Sequence, residues 1–392
     1  MNDLQRGLIT LIKSAVTGKS LTLPEGFCLD DAKEIILKQH LSALVYEGAI
    51  NCGLPEDSLL MRQLQRAYYQ LLIKSERQMI AVGKIYKAFE EGKIDYLPIK
   101  GCNMKSLYPK PELRLMGDAD ILIRDEQYDR VHAAMEGAGF VFAKRYDNVY
   151  EWDNDSLHVE LHSNLSPSGD ESFGDYYESG WEFAIKGEGT RYDMSSSDAF
   201  VYLFSHFAKH YRIAGIGCRH VLDLFVYLNK IEIDAPYVRG ELEKLGFGEF
   251  YDNMLRVLDN WFSGGKPDEI TDIITDYILG SGSWGNTKTA MYSKALMRAS
   301  DKASGASKLK TVFLTVFTPL KDLRKVYWGL HKAPILLPIY WVVHWFDILL
   351  HRPENIKKKT KALASVNNES VEARRRELAL VGLGFDKNSD KE

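Results

Sequence analysis

Residues 117–123 read Gly-Asp-Ala-Asp-Ile-Leu-Ile, and this stretch constrains the fold more than any other. Side chains alternate across a strand, so Asp118 and Asp120 share one face while Ala119, Ile121 and Ile123 share the other. One face asks for burial and the other must hold two carboxylates side by side. That is costly unless positive charge lies between them, and a divalent metal is the usual solution. Metal-assisted phosphoryl or nucleotidyl transfer needs such a pair.

A second alternating run supplies a third carboxylate. From Leu157 to His162 the residues His158, Glu160 and His162 fall on one face, and Leu157, Val159 and Leu161 on the other. The turn signal Asp153-Asn154-Asp155 joins this run to Val149–Trp152 as a hairpin. Paired beside the aspartate strand, Glu160 would reach the same metals. Upstream, Tyr96–Ile99 forms a short strand, Gly101 lets backbone approach a ligand closely, and Asn103–Leu107 opens a helix. N–H groups at a helix start favour anions, and Lys100 adds a point charge. Arg114, just before the aspartates, is a second candidate for phosphate.

The order Lys-Gly, then Arg-x-Met-Gly-Asp-x-Asp-Ile-Leu-Ile, then a strand ending Glu-Leu-His resembles the uncharacterised bacterial nucleotidyltransferases. These are a branch of the DNA polymerase β-like nucleotidyltransferase superfamily. The helical stretches SSSDAFVYLFSHFAKHYR and CRHVLDLFVYL are similar to that family too, as are GSWGNTK and LPIYWVVHWFDILLHR, so the resemblance covers most of residues 30–352. It implies nucleotidyl transfer with two Mg²⁺ ions held by Asp118, Asp120 and Glu160. It also implies a nucleoside triphosphate lined by Lys100 and Gly101; the acceptor could be a sugar, a small metabolite or a protein side chain, and the sequence does not decide among them. The chain departs from the superfamily at the turn, where Lys100-Gly101-Cys102 stands in place of Gly-Ser or Gly-Gly.

Size and composition narrow the class. With 392 residues the chain is long enough for two or three domains. We expect an α+β protein: helices over 1–93, a small mixed-sheet nucleotidyltransferase-like core over 94–190, a helical domain over 191–352, and a charged tail over 353–392 that is loosely ordered apart from a short helix around Val371–Leu380. Within the first region Asp30 caps a helix running to about Gly48, and Asp57–Gly92 is a long proline-free helix. A net charge of −4 argues against general nucleic-acid binding. The four cysteines are widely spaced with no Cys-x-x-Cys pair, which disfavours a zinc or disulfide framework and suits a reducing cytoplasm.

Several residues carry rival readings. His158, Glu160 and His162 could bind zinc, but strand-borne His-x-Glu-x-His is not a recognised zinc spacing, and the histidines read better as hydrogen-bonded neighbours of a magnesium site. His206 and His210 lie one helical turn apart and, with Arg219, His220 and Asp223, suggest a structural polar cluster bordering the cleft. The apolar stretch Ala333–Leu350 is interrupted by Pro338, His344 and Asp347 and reads as a buried core helix rather than a membrane span. With Lys357-Lys358-Lys359 behind it, peripheral membrane contact is the less favoured alternative. Arg374-Arg375-Arg376 reads as a solvated helix face. The rival to an enzyme is a catalytically decayed binding protein on this scaffold, acting at a membrane-associated assembly.

Overall fold

A computed structural model describes residues 1–165, 176–283 and 368–384, most of 316–351, and a few single residues between 285 and 313. The N-terminal helix α1 (Asp3–Thr17) starts at a capping box in which Asn2 and Gln5 satisfy each other's backbone N–H groups, and it stops at Gly18 in the left-handed region. The single helix expected from Asp30 to Gly48 is two, α2 (Lys33–Lys38) and α3 (Ser42–Asn51), parted at His40, whose φ of +52° no helix continues. Helix α4 (Leu59–Glu91) runs unbroken for 33 residues behind a Ser58 cap.

The protein is α+β, with a small mixed sheet flanked by helices. Five strands take part: β1 (Tyr96–Ile99), β2 (Asp118–Ile123), β3 (Val141–Tyr146), β4 (Val149–Asp153) and β5 (His158–His162). Their spatial order is β1-β2-β5-β4-β3, with β2 and β5 parallel and every other neighbour antiparallel. Between them lie the short helix α5 (Gly101–Lys105) and α6 (Tyr128–Gly137). Period-2 alternation decides what each face does. Ala119, Ile121, Ile123, Val159 and Leu161 are buried against the second half of α4 (Ala81, Val82, Ile85, Phe89) and against Val131 and Met135 of α6. The opposite face carries the polar residues.

A hairpin of β6 (Ala184–Lys186) and β7 (Tyr192–Met194) leads into helices α7 (Ser196–Ile213), α8 (Cys218–Lys230), α9 (Ala235–Lys244), α10 (Gly248–Phe262) and α11 (Glu269–Gly280). These helices, α1, α3 and the first half of α4 share a second hydrophobic core, into which Leu97, Ile99 and Leu122 of the sheet also project. The helical half is thereby fixed over one end of the polar face.

Two expectations are corrected beyond residue 330. Helix α12 (Leu337–His351) is not a core helix: its Trp341 and Trp345 indoles donate to the carbonyls of Thr318 and Val316, which turns Ile339, Val342, Val343 and Phe346 outward. Among the described residues no helix is long and apolar enough to cross a membrane. Helix α13 (Asn368–Leu380) lies where a short helix around Val371–Leu380 is expected, and it docks on the helical half through buried Val371, Leu378, Val381 and Leu383. Arg374, expected in solvent, is buried there, donating to the Tyr211 carbonyl and the Tyr277 hydroxyl, each at 2.7 Å. Lys357-Lys358-Lys359 and most of GSWGNTK lie outside the described residues.

Candidate active site

The parallel pairing of β2 with β5 builds the site. Its register sets Asp118 beside His158, Asp120 beside Glu160 and Leu122 beside His162, so the alternating polar residues of two strands meet on one face. Asp120 is almost wholly buried, while Asp118 and Glu160 are half-buried. Ligand atoms of Asp120, Glu160 and His162 all lie within 4.8 Å of one another. Two carboxylate oxygens and an imidazole nitrogen at that spacing form a donor set that fits a divalent cation.

Asp120 is the hub of this group. Its Oδ1 accepts from the Lys100 ammonium at 2.7 Å and lies 3.0 Å from His162 Nε2. Burial alone would raise its carboxyl, but Lys100 and the His162 hydrogen bond outweigh that and hold it well below the usual carboxylate range. Its neighbours move the other way. Burial and the Asp120 charge raise both Asp118 and Glu160. The site thus holds one firmly ionised carboxylate between two that bind protons more readily.

His158 takes a different part from His162. Its Nδ1 lies 2.7 Å from Asp153, and its Nε2 stays 3.9 Å from Glu160, so it steadies the outer strands. The zinc trio of His158, Glu160 and His162 is therefore not the group the strands gather. His162 Nε2 lies 3.0 Å from Asp120, the contact expected of a hydrogen-bonded neighbour of the carboxylates.

The turn at the end of β1 shows why a lysine can stand there. Lys100 has φ +49° and ψ −112°, a backbone that disfavours any side chain, and the contact with Asp120 sits at that strained residue. Gly101 follows with no room to spare: a Cβ there would lie 3.3 Å from an Arg114 nitrogen and 3.4 Å from the Asp118 carbonyl. Cys102 is buried, and burial pushes its thiol up to about 12, so it stays protonated.

Arg114 comes to this turn from beneath. Its guanidinium forks onto Asp223 of α8 with two bonds of 2.9 Å, and its remaining arm donates to the Gly101 carbonyl at 3.3 Å. Tyr108 completes the cluster by donating to Asp223 at 2.8 Å. Asp223 thus meets Arg114 rather than the histidines. His206 and His210 pair with each other at 2.9 Å along α7, and burial holds His206 and His220 well below the usual imidazole range and His210 down to about 4. Arg219 donates to the Leu115 carbonyl just ahead of the aspartates.

Beside the turn opens a cavity of about 340 Å³, lined by Lys100 and Asn103 of the β1 turn and α5, by Asp193 of β7, and by Ser196, Tyr202 and Tyr227 of the helical half. Lys100 lies 6.0 Å from the Tyr202 ring centroid, so this one lysine borders both the carboxylates and the cavity. Sequence reading misses Tyr202 and Asp193, and it places Asp223 among the histidines rather than on Arg114. Tyr202 sits in an apolar run of α7 with nothing to mark it, Asp193 pairs locally with Arg191, and Asp223 is 109 residues from Arg114.

A family model described as an uncharacterised nucleotidyltransferase matches residues 30–263. The curated proteins give no match. Among solved structures, the antibiotic-resistance factor ANT(2'')-Ia, determined in solution, is similar with 14% identity and a TM-score of 0.34, over 46% of this chain and 96% of that one.

Proposed function

The chain belongs to the uncharacterised nucleotidyltransferase family, and from that premise we propose that it transfers a nucleoside monophosphate from a nucleoside triphosphate to an acceptor, releasing pyrophosphate. The observation that carries this reading is Asp120 in register with Glu160, with Lys100 at 2.7 Å. Divalent ions, two Mg²⁺ in this reading, would offset the triphosphate charge and make the acceptor hydroxyl more acidic. Asp118, Asp120 and Glu160 would hold them, and His162 joins the set because its Nε2 already lies against Asp120. Glu160, whose carboxyl is raised by burial and by Asp120, is suited to take the acceptor proton.

Lys100 stands between Asp120 and the cavity, so its ammonium can neutralise a phosphate oxygen while staying within the site. Gly101 gives the triphosphate a close backbone approach. Arg114 would act one step removed, holding the Gly101 carbonyl while its fork is engaged by Asp223. The acceptor, a sugar, a small metabolite or a protein side chain, would enter from the helical half. Free thiols at all four cysteines support work in a reducing cytoplasm.

The test is a screen of four labelled nucleoside triphosphates against cell extract with Mg²⁺, paired with thermal melting. A bound triphosphate at a hundred times its Kd should stabilise the protein by about 2.7 kcal/mol. Glu160→Gln should keep that shift and lose label transfer by orders of magnitude, since its contribution arises when the acceptor is activated. If no triphosphate shifts the melt with Mg²⁺, the decayed-scaffold reading replaces this one.

A further inference from the structure

We propose that helix α12 lies flat on an anionic lipid surface, its outward face entering the headgroup boundary. Ile335, just ahead of the helix, is 88% exposed, and Ile339 and Phe346 are 59% and 60% exposed, with Val342 and Val343 between them also open. The spacing 335, 339, 342, 343, 346 is that of one helical stripe, so these side chains form a continuous apolar band. The band is fixed outward. Both tryptophans of α12 point the other way, tied by their indole N–H groups to backbone carbonyls at 316 and 318 and packed on Phe317. Isolated apolar residues on a surface are ordinary, whereas a contiguous band calls for something to cover it.

Charge identifies the cover. The whole chain has a net charge of −4, yet residues 320–361 carry nine lysines and arginines against three acids. Lys321, Arg324 and Lys332 precede the band, and Arg352 and Lys357-Lys358-Lys359 follow it in sequence. Basic residues on both sides of an apolar stripe in sequence match a bilayer rich in acidic headgroups, where hydrophobic insertion and electrostatic attraction act together. Over its described residues the helix has 15, which is too few to span and enough to lie in the plane of the interface. Neither the carboxylate site nor its chemistry enters this inference.

Flotation of the full chain with lipid vesicles tests it. Vesicles of phosphatidylcholine with about one-third phosphatidylglycerol should carry the protein, and phosphatidylcholine alone should not; raising salt to about 0.5 M should release most of it. The double variant I339D/F346D should float about tenfold less or weaker still, with its melting temperature unchanged, because both side chains are exposed. K357Q/K358Q/K359Q, which leaves the helix untouched, should lose binding to the anionic vesicles as well. Equal binding of I339D/F346D and parent would overturn the proposal, as would equal flotation with both vesicle types. A parent that is dimeric by light scattering, with I339D/F346D monomeric and no vesicle binding by either, would overturn it in favour of a second copy of the chain.

Discussion

Arg114 and Asp223 stand 109 residues apart and meet through two hydrogen bonds of 2.9 Å, both partners buried. This fork ties the approach to the aspartate strand to helix α8 of the helical half. It also fixes the Gly101 turn, because the same guanidinium holds the Gly101 carbonyl.

Asp223→Ala leaves that guanidinium buried and unpaired, so it should cost about 3–5 kcal/mol of stability in urea titrations. Asp223→Asn should cost less. Nucleotide affinity per folded molecule should change little in either. A large loss of affinity at unchanged stability would instead put Arg114 on the phosphates.

Asp118 and Asp120 should respond oppositely to neutralisation in metal-free protein. Asp118→Asn removes repulsion from a carboxyl already raised by burial and by Asp120, and should lift the melting temperature by about 2–4 °C. Asp120→Asn withdraws charge from the Lys100 ammonium and should destabilise by about 2–3 kcal/mol. Both should lose Mg²⁺-dependent nucleotide binding. Calorimetric melts with and without Mg²⁺ check the signs.

Lys100 separates backbone strain from charge. At φ +49° a glycine is at ease and an alanine is not, so Lys100→Gly should be more stable than Lys100→Ala by about 1–2 kcal/mol. Both should weaken triphosphate binding alike, since each lacks the ammonium. Equal stability of the pair in denaturant titrations would show that the turn relaxes at no cost.

The histidines of α7 and α8 set an acid limit on stability. His210 is held down to about 4, so between its ordinary value near 6.5 and about 4 the unfolded chain takes a proton that the native state refuses. Stability is therefore whole above that window and falls as the pH drops through it, by up to about 1.4 kcal/mol per pH unit for this group. Burial lowers His206 and His220 in the same direction, so they add to the fall. His210→Gln should flatten the fall between pH 6.5 and 4 in urea midpoints measured across pH; an unchanged slope would mean that His210 titrates freely.

Local alternation made β2 and β5 legible, and with them the shared face of Asp118 and Asp120 and that of His158, Glu160 and His162. It carries no information about which strand lies next to which. The register of Asp120 with Glu160 comes from a parallel pairing across forty residues, decided by where the back-face residues bury. Arg114 looked like a phosphate ligand because its neighbours in sequence are aspartates, whereas its partner belongs to a distant helix. Arg374 shares its charge with Arg375 and Arg376, and only packing on Tyr211 and Tyr277 sets it apart. Helix α12 misled in the opposite sense: its composition suits a core, yet its tryptophans take up the inner side.

Helix α4 joins the two cores as a single rod of roughly 50 Å. Leu60, Met61, Leu64 and Tyr68 seat one end among the helices, and Ala81, Val82, Ile85 and Phe89 seat the other behind the sheet. Neither core can melt without stripping that half of the rod bare, so the two should come apart in one transition. A continuous rod also couples its two ends in rotation. A twist imposed where the N-terminal helices grip it would reach the back wall of the carboxylate sheet as rotation, because the helix has no proline along its length and runs unbroken through its one interior glycine, Gly83.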